Sequence, residues 1–365
     1  FLGTKCPSEI LSDLNHGKLY KRDSPMKIQR VDSLDFPALE RKLSFSGLDS
    51  WMNFVSDIYH YKIYRYAVSE DSHPLAALAL VEIKHPIFGH YLTTAPFGSY
   101  GGFAFETAAA RGLLLDEARR LAEDIKAEYI SIRFDEGASS PPDHWSQDPA
   151  YFTYRIDLPS NSDELLKTFS SDHRNHIRKS IRKGFEIRFG HLELLDDIYE
   201  ALAQSMHELG SPYHSKTYLR KMAEHLGGTL EFAVLYTAEG KIAGGGVFIY
   251  QGGTVFNLHA NILWHTRSAY AGEFLYWSVI ERAIQKGLKT FDLGRSLIGS
   301  GNEVFKMKWS PRKQKLAYWY WLAPGHELPS LNQKNPKFQL AIAIWKRLPA
   351  FIVRPLGPHL VRGLA

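Results

Sequence analysis

The sequence predicts a mixed α/β fold, in the α+β sense, in which one plan of mainly antiparallel strands flanked by helices is used twice. Residues 63–83 alternate as a hairpin, and a further strand, a glycine-rich stretch, a helix and a closing strand follow by residue 134. Residues 232–293 repeat that order of elements. At 365 residues the chain also exceeds a typical single domain. The expected division is 1–150, 151–336 and a C-terminal amphipathic tail, 337–365.

The first hairpin turns at Ser69-Glu70-Asp71-Ser72, all turn formers. The stretch Pro96-Phe97-Gly98-Ser99-Tyr100-Gly101-Gly102 follows the third strand. Residues 106–126 are rich in Ala, Leu, Arg and Glu with a helical apolar period, and 129–134 close the unit. Residues 137–148 (GASSPPDHWSQD) read as the linker. Ser160 or Asn161 can cap a helix through Leu165, Leu166 and Phe169. A second helix starts at Asp172 and ends at Gly184, a C-cap-like position. In the second unit the hairpin 232–250 turns at Ala238-Glu239-Gly240-Lys241. Residues 255–262 form the third strand, 271–286 an amphipathic helix and 288–293 the closing strand. Gly244-Gly245-Gly246, inside a strand, marks a bulge or a close backbone approach. The alternation of Leu316, Tyr318, Trp319, Tyr320, Trp321 and Leu322 reads as a buried strand, so those aromatics belong to the core.

Composition sets bounds. Hydrophobic residues make up 44% and charged residues 23%, the values of a globular protein with a sizeable core. The net charge of +5 becomes informative only where it is concentrated. The single cysteine, Cys6, excludes an intrachain disulfide framework and a cysteine-based zinc site, and it fits a reducing compartment. The residues from Phe1 onward show no signal-peptide pattern, and no apolar run approaches the roughly 18 residues that span a bilayer. The expectation is a cytoplasmic protein. Its tail carries Trp345, Lys346, Arg347, Arg354 and Arg362 among short apolar pieces separated by Pro349, Pro355 and Pro358. It either contacts the inner membrane peripherally or docks on the protein body.

Two stretches concentrate chemistry. In the helix that starts at Asp172, Arg174, Arg178 and Arg182 recur at four-residue spacing, with Lys179 and Lys183 beside them. Like charges so placed repel one another, so the stripe is either a solvated face or a grip on phosphates. In Phe291-Asp292-Leu293-Gly294-Arg295-Ser296, a strand runs into a loop that continues through Gly299-Ser300-Gly301 to Phe305, Lys306 and Lys308. Glycines there let backbone N–H groups approach an anion, and the cations neutralise it. None of the 16 histidines falls in a compact metal-binding spacing. His173 and His176 share a helix and read as an ordinary polar pair, so no metal is expected. The chain lacks the phosphate-binding, dinucleotide and nucleophile-elbow motifs. Arg267-Ser268-Ala269-Tyr270-Ala271-Gly272 stands where an acyl-CoA enzyme carries its Q/R-x-x-G-x-G/A pyrophosphate loop, in degraded form.

Taken together, residues 59–321 resemble the FemA/FemB/FemX-like family of tandem acetyltransferase-fold (GNAT) enzymes. The resemblance rests on His173-Arg174-Asn175-His176-Ile177-Arg178-Lys179 with Gly184, on Phe291 to Ser296 with the following Phe305-Lys306, and on the 96–102 loop. The tail, Trp345 to Pro349 and Leu356-Gly357-Pro358, is similar to the exosortase/PEP-CTERM-associated branch. The resemblance implies N-acyl transfer. The donor would be aminoacyl-tRNA or acyl-CoA, with no permanently bound cofactor, and the acceptor an amine of an anionic envelope or exopolysaccharide precursor carried on a nucleotide or lipid diphosphate. It implies Lys306 at the oxyanion or the donor's phosphate, and Asp292 orienting the acceptor amine or holding the loop. It also implies Arg174 and Arg178 on the acceptor diphosphate, with Lys179, Arg295, Ser296, Lys308 and Tyr100 lining the substrate site. Arg295-Ser296 replaces the glycines that follow Asp-x-Gly in other members, which leaves the acceptor open. The alternative is a non-catalytic polysaccharide- or RNA-binding partner on the same fold.

Overall fold

The computed structural model describes residues 26–135, 140–148, 151–327 and 336–364; Cys6, the chain start and part of the expected linker lie outside them. The described residues form two sheets. The first contains β1 (Lys27–Arg30), β2 (Lys62–Glu70), β3 (His73–His85), β4 (Gly89–Thr93), β5 (Phe103–Phe105), β6 (Tyr129–Phe134) and β7 (Ser146–Asp148). The second contains β8 (Tyr151–Asp157), β9 (Glu186–Gly190), β10 (Leu230–Tyr236), β11 (Ile242–Gln251), β12 (Thr254–Ile262), β13 (Thr290–Leu297) and β14 (Arg312–Lys315). A last strand, β15 (Ala317–Leu322), returns to the first sheet.

The orders are β1-β2-β3-β4-β6-β15-β7, with β5 on β3, and β14-β8-β13-β12-β11-β10-β9. Each sheet is antiparallel except for one parallel pair, β4 with β6 and β12 with β13. The hairpins form as the turn residues dictate. Asp71 and Ser72 both take positive φ between β2 and β3, and Gly240 does so between β10 and β11. Two expectations are corrected here. Residues 317–322, assigned to the second unit, complete the first sheet, where Trp319 packs edge-on against Phe134 within the core. The expected linker contains β7, held by pairing to β15.

Helix Ala108–Ile125 covers one face of the first sheet. Thr107 caps it by accepting a hydrogen bond from Ala110 N at 3.1 Å, and Leu114, Leu115, Ala118 and Ala122 are buried against Leu78, Leu80 and Ile130. The opposite face carries helix Asp49–Tyr59, whose Trp51 and Phe54 are 0% exposed. Phe54 meets Tyr218 of helix Lys216–Leu226 edge-on at 5.0 Å, so one apolar cluster runs through both units. Full burial of each such side chain contributes roughly 1.5–3 kcal/mol, which makes this seam a shared core rather than a loose inter-domain contact. In the second unit, helix Leu195–Leu209 lies over β11. A Cβ on Gly245 would come within 2.7 Å of both Ala233 O and Ile198 Cδ1, which explains glycine at that position. Helix Ala271–Gln285 covers the other face with Leu275, Val279, Ile280 and Ala283.

The tail forms helices Pro336–Arg347 and Ala350–Val361 and docks on the body. Arg354 donates two hydrogen bonds to Glu200, at 2.6 and 2.8 Å. Tyr61 and Tyr91 donate to Arg362 O and Gly363 O at 2.5 and 3.0 Å. Pro349 separates the two helices, but Pro355 and Pro358 sit inside the second one. The carbonyls they leave unbonded, of Phe351 and Arg354, belong to exposed residues that water can reach. No helix among the described residues is long and apolar enough to cross a membrane.

The loop 94–102 folds back over the end of β6, with Gly101 N donating to Arg133 O and Gly102 N to Leu43 O, each at 2.9 Å. Gly102 has φ +72, and a Cβ there would lie 2.3 Å from Thr94 O. Gly102→Ala is therefore expected to cost about 2–3 kcal/mol from strain and backbone clash. Thermal unfolding checks this, and an unchanged melting temperature would show that the loop relaxes freely.

Candidate active site

β12 and β13 pair in parallel only over Thr254–Phe256 and Thr290–Asp292, and beyond that point the two strands run on without pairing to each other. The split opens where a bulge interrupts the ladder between β13 and β8, between Asp292 and Arg295, and Gly294 takes φ +75 to make it. The sequence reading ended the strand at Leu293; the structure continues it through Leu297, because β8 keeps pairing on the far side of the bulge.

Asp292 is 1% exposed and carries the densest polar network of the site. Its Oδ1 accepts from Thr153 Oγ1 at 2.6 Å and from Gly294 N at 2.8 Å. Its Oδ2 accepts from the Tyr100 hydroxyl at 2.7 Å and from Arg155 Nε at 3.0 Å. Asp292 thus holds the bulge and is fully engaged. Burial, with the Asp292 charge behind it, raises the Tyr100 pKa well above its usual value, so the phenol stays a donor. Arg155 also donates to the Tyr100 oxygen at 2.5 Å, to Gln314 Oε1 at 2.9 Å and to Asp135. Tyr100, contributed by the first unit, therefore closes a hydrogen-bonded circuit on the second. Beside it lies a cleft of about 190 Å³ whose lining includes Arg41, Tyr100, Asp135, Arg155 and Arg312.

Lys306 lies on helix Gly301–Met307 and is 3% exposed. Its ammonium donates to the bulge carbonyls Gly294 O and Arg295 O, both at 2.9 Å, which leaves one N–H unspent. Burial pushes its pKa down to about 7, against the pull of Asp292. Two N–H groups of the glycine loop, of Gly299 and Ser300, are spent within the protein rather than held out for an anion. Gly299 N donates to Glu303 Oε2 at 2.5 Å and Glu303 N to Ser300 Oγ at 3.2 Å, a variant of the capping box in which the glutamate takes the N–H one residue before the cap. Hydrogen bonds from Lys313, Tyr154 and Gly299 hold Glu303 down at about 2.

Several expected site residues have other partners. Arg174, half-buried, donates to Phe169 O at 2.6 Å and so closes the end of helix Ser162–Thr168. Arg178 and Lys179 stay exposed on helix Ser171–Ile181, which Ser170 caps one residue earlier than expected. Arg295 donates to the Tyr318 hydroxyl at 3.1 Å and lies over the Tyr151 ring. Ser296 is buried with its hydroxyl unpartnered. Lys308 pairs with Glu273 at 3.3 Å. Sequence reasoning missed Arg155, Thr153, Asp135 and Glu303. Only two of these carried a local signal: Arg155 as the lone cation in the alternating run Tyr151–Asp157, and Glu303 three residues after Ser300.

A family model described as an acetyltransferase (GNAT) domain matches residues 171–307. Among solved structures, the chain is similar to FemX, with TM-score 0.61 and 16% identity over 77% of this chain and 93% of that one. It is also similar to a tandem GNAT protein from the clavulanic acid biosynthesis pathway, with TM-score 0.53 and 12% identity over 83% of this chain and all of that one. A third similar structure is a conserved protein of unknown function from Bacteroides thetaiotaomicron, with TM-score 0.51 and 15% identity over 78% and 92% of the two chains. No curated protein matches. The fold is a tandem GNAT fold, two mainly antiparallel mixed sheets flanked by helices, and the split between β12 and β13 lies within the matched segment.

Tyr100→Phe removes one donor from a buried carboxylate and is expected to destabilise the protein by about 1.5–3 kcal/mol. Urea unfolding measures it. A loss no larger than that of an ordinary surface change, about 0.5 kcal/mol, would show that the circuit does not bind the two units.

Proposed function

We propose that the protein is an N-acyltransferase that moves an acyl or aminoacyl group onto an amine of a diphosphate-linked envelope or exopolysaccharide precursor. The observation that carries this reading is a desolvated lysine with one spare N–H, fixed by two carbonyls at the mouth of the split between β12 and β13. Aminolysis of an ester or thioester needs a neutral amine, stabilisation of the tetrahedral oxyanion, and a proton for the leaving oxygen or sulfur. The third N–H of Lys306 serves the oxyanion. Asp292 acts as a positioning residue that fixes the bulge.

The amide-rich start of helix Ala271–Gln285 is where a GNAT fold would receive a pyrophosphate. Here Tyr270 takes φ +62 under the stacked ring of His176, 4.5 Å away, and the carboxylate of Glu273 sits in the first turn. Lys308 pairs with that carboxylate, so the helix start leaves both aminoacyl-tRNA and acyl-CoA open as donors. Arg178 and Lys179, exposed together with Arg182 and Lys183, supply the positive face for the acceptor diphosphate.

Supplying purified protein with each donor class and amine-bearing nucleotide sugars tests the reading. Lys306→Met is expected to slow single-turnover transfer roughly 100- to 1,000-fold with the fold intact, and a rate near wild type sinks the assignment. Because the ammonium is lost as pH rises through about 7, kcat/KM should fall above that pH. A rate that instead rises through 7 would make Lys306 a general base.

The tail supports residence near a lipid-linked acceptor. Leu340, Ile344, Phe351 and Leu356 are 63, 50, 77 and 47% exposed, and residues 336–364 contain no acidic side chain. The full chain is expected to float with anionic vesicles, whereas Phe351→Asp and a chain ending before Lys337 stay behind. Equal flotation of all three rejects the membrane contact.

A further inference from the structure

We propose that His173, His176 and Glu273 form a binding site for one divalent transition-metal cation that clamps the basic helix Ser171–Ile181 to helix Ala271–Gln285. One ligand atom from each of the three residues lies within 4.8 Å of the others. The pairing is a product of the fold, since the histidines come from one helix, one turn apart, and the carboxylate from the first turn of another.

The state of the donors is what points to a cation. His173 is 2% exposed, and neither of its ring nitrogens has a hydrogen-bond partner. In either neutral tautomer one of these nitrogens offers a free lone pair. Its ring is held edge-on to Trp309 at 4.5 Å and to Phe169 at 5.3 Å, which fixes its direction. His176 keeps one nitrogen, Nδ1, buried and unpartnered, while Nε2 lies 3.4 Å from Asp172 Oδ1. A carboxylate behind the far nitrogen of a histidine is the usual support of a metal ligand. Glu273 is 5% exposed and pairs with Lys308.

No hydrogen bond takes up the free nitrogens of the two histidines, and the three ligand atoms lie close enough for one ion to join them. Two imidazoles and one carboxylate suit a borderline cation such as Zn²⁺, with water completing four-coordination. Lys308, 41% exposed, can swing into solvent when the cation takes over the Glu273 charge. The orphaned nitrogens gain partners, and the helix bearing Arg178 and Lys179 gains a fixed stance. The site shares no residue with the Asp292 network or with Lys306, so metal retention is read separately from transfer.

Zn²⁺ is the probe. Full-length protein is stripped with a chelator, reloaded and desalted, and its metal content is measured. Affinity is read by competition with a chromophoric chelator. One equivalent is expected to remain bound and to raise the melting temperature. Glu273→Gln and His176→Asn should each weaken binding at least about tenfold while melting like the stripped wild type. His173 is left in place because it is part of the core against Trp309. Absence of retained zinc, wild-type affinity in both variants, or a high-resolution structure of the zinc-loaded protein showing only a water between the three side chains overturns the proposal.

Discussion

A carboxylate cut off from water sets most of what is specific here. Asp292 has to be compensated where it lies, because an isolated buried charge costs several kcal/mol. Its four donors come from three stretches of chain: Tyr100 from the first unit, Thr153 and Arg155 from β8, and Gly294 from its own bulge. Arg155 brings its own charge and passes part of the requirement on to Asp135 and Gln314. The two units share apolar core, yet apolar contact alone tolerates sliding. The directional bonds around Asp292 fix how the first sheet stands over the second, and with it the shape of the arginine-lined cleft.

The two halves use one plan to different ends. Each sheet has its single parallel pair next to a loop rich in small residues. In the first half that loop is filled: a Cβ on Gly47 would lie 2.4 Å from Gly102 N, and Ser46 donates to Tyr100 O at 2.6 Å. Trp51 donates to Pro96 O at 3.0 Å from below. That half has become a platform whose product is the position of one phenol. In the second half the opening persists, edged by Asn257, which donates to the Tyr276 hydroxyl at 2.8 Å, and by the lysine on the bulge.

The parts legible in the sequence were those written locally. The hairpins and the helices 108–125 and 271–285 carry their period and their stop signals within a few residues. The continuation of β13 was not legible, because Gly294-Arg295-Ser296 reads as a loop until β8 and Lys306 are there to hold it as a bulge. The membership of 317–322 in the first sheet was equally hidden, since an alternating aromatic strand says that it is buried and not against what. Lys306 was singled out through its place after Phe305, but its bonding to two carbonyls depends on a turn twelve residues upstream. Arg174 shows the converse: a surface stripe by spacing, it is drawn off to cap a neighbouring helix end. His173 and His176 were visible as a pair, whereas Glu273 joins them only through helix packing.

The return of β15 has a consequence for how the molecule is made. Trp319 pairs with Ile132, and the entire second unit is threaded between them in the chain. During synthesis β6 emerges early with an open edge, and β7 has no place in the sheet until β15 arrives to stand between it and β6. The first unit therefore finishes last, although it is translated first. Until the ribosome has delivered nearly the whole polypeptide, that edge is a sticky surface, and late closure of long-range strand pairs is slow. A cell that makes this protein has an open sheet edge to shield while residues 135–316 are being made.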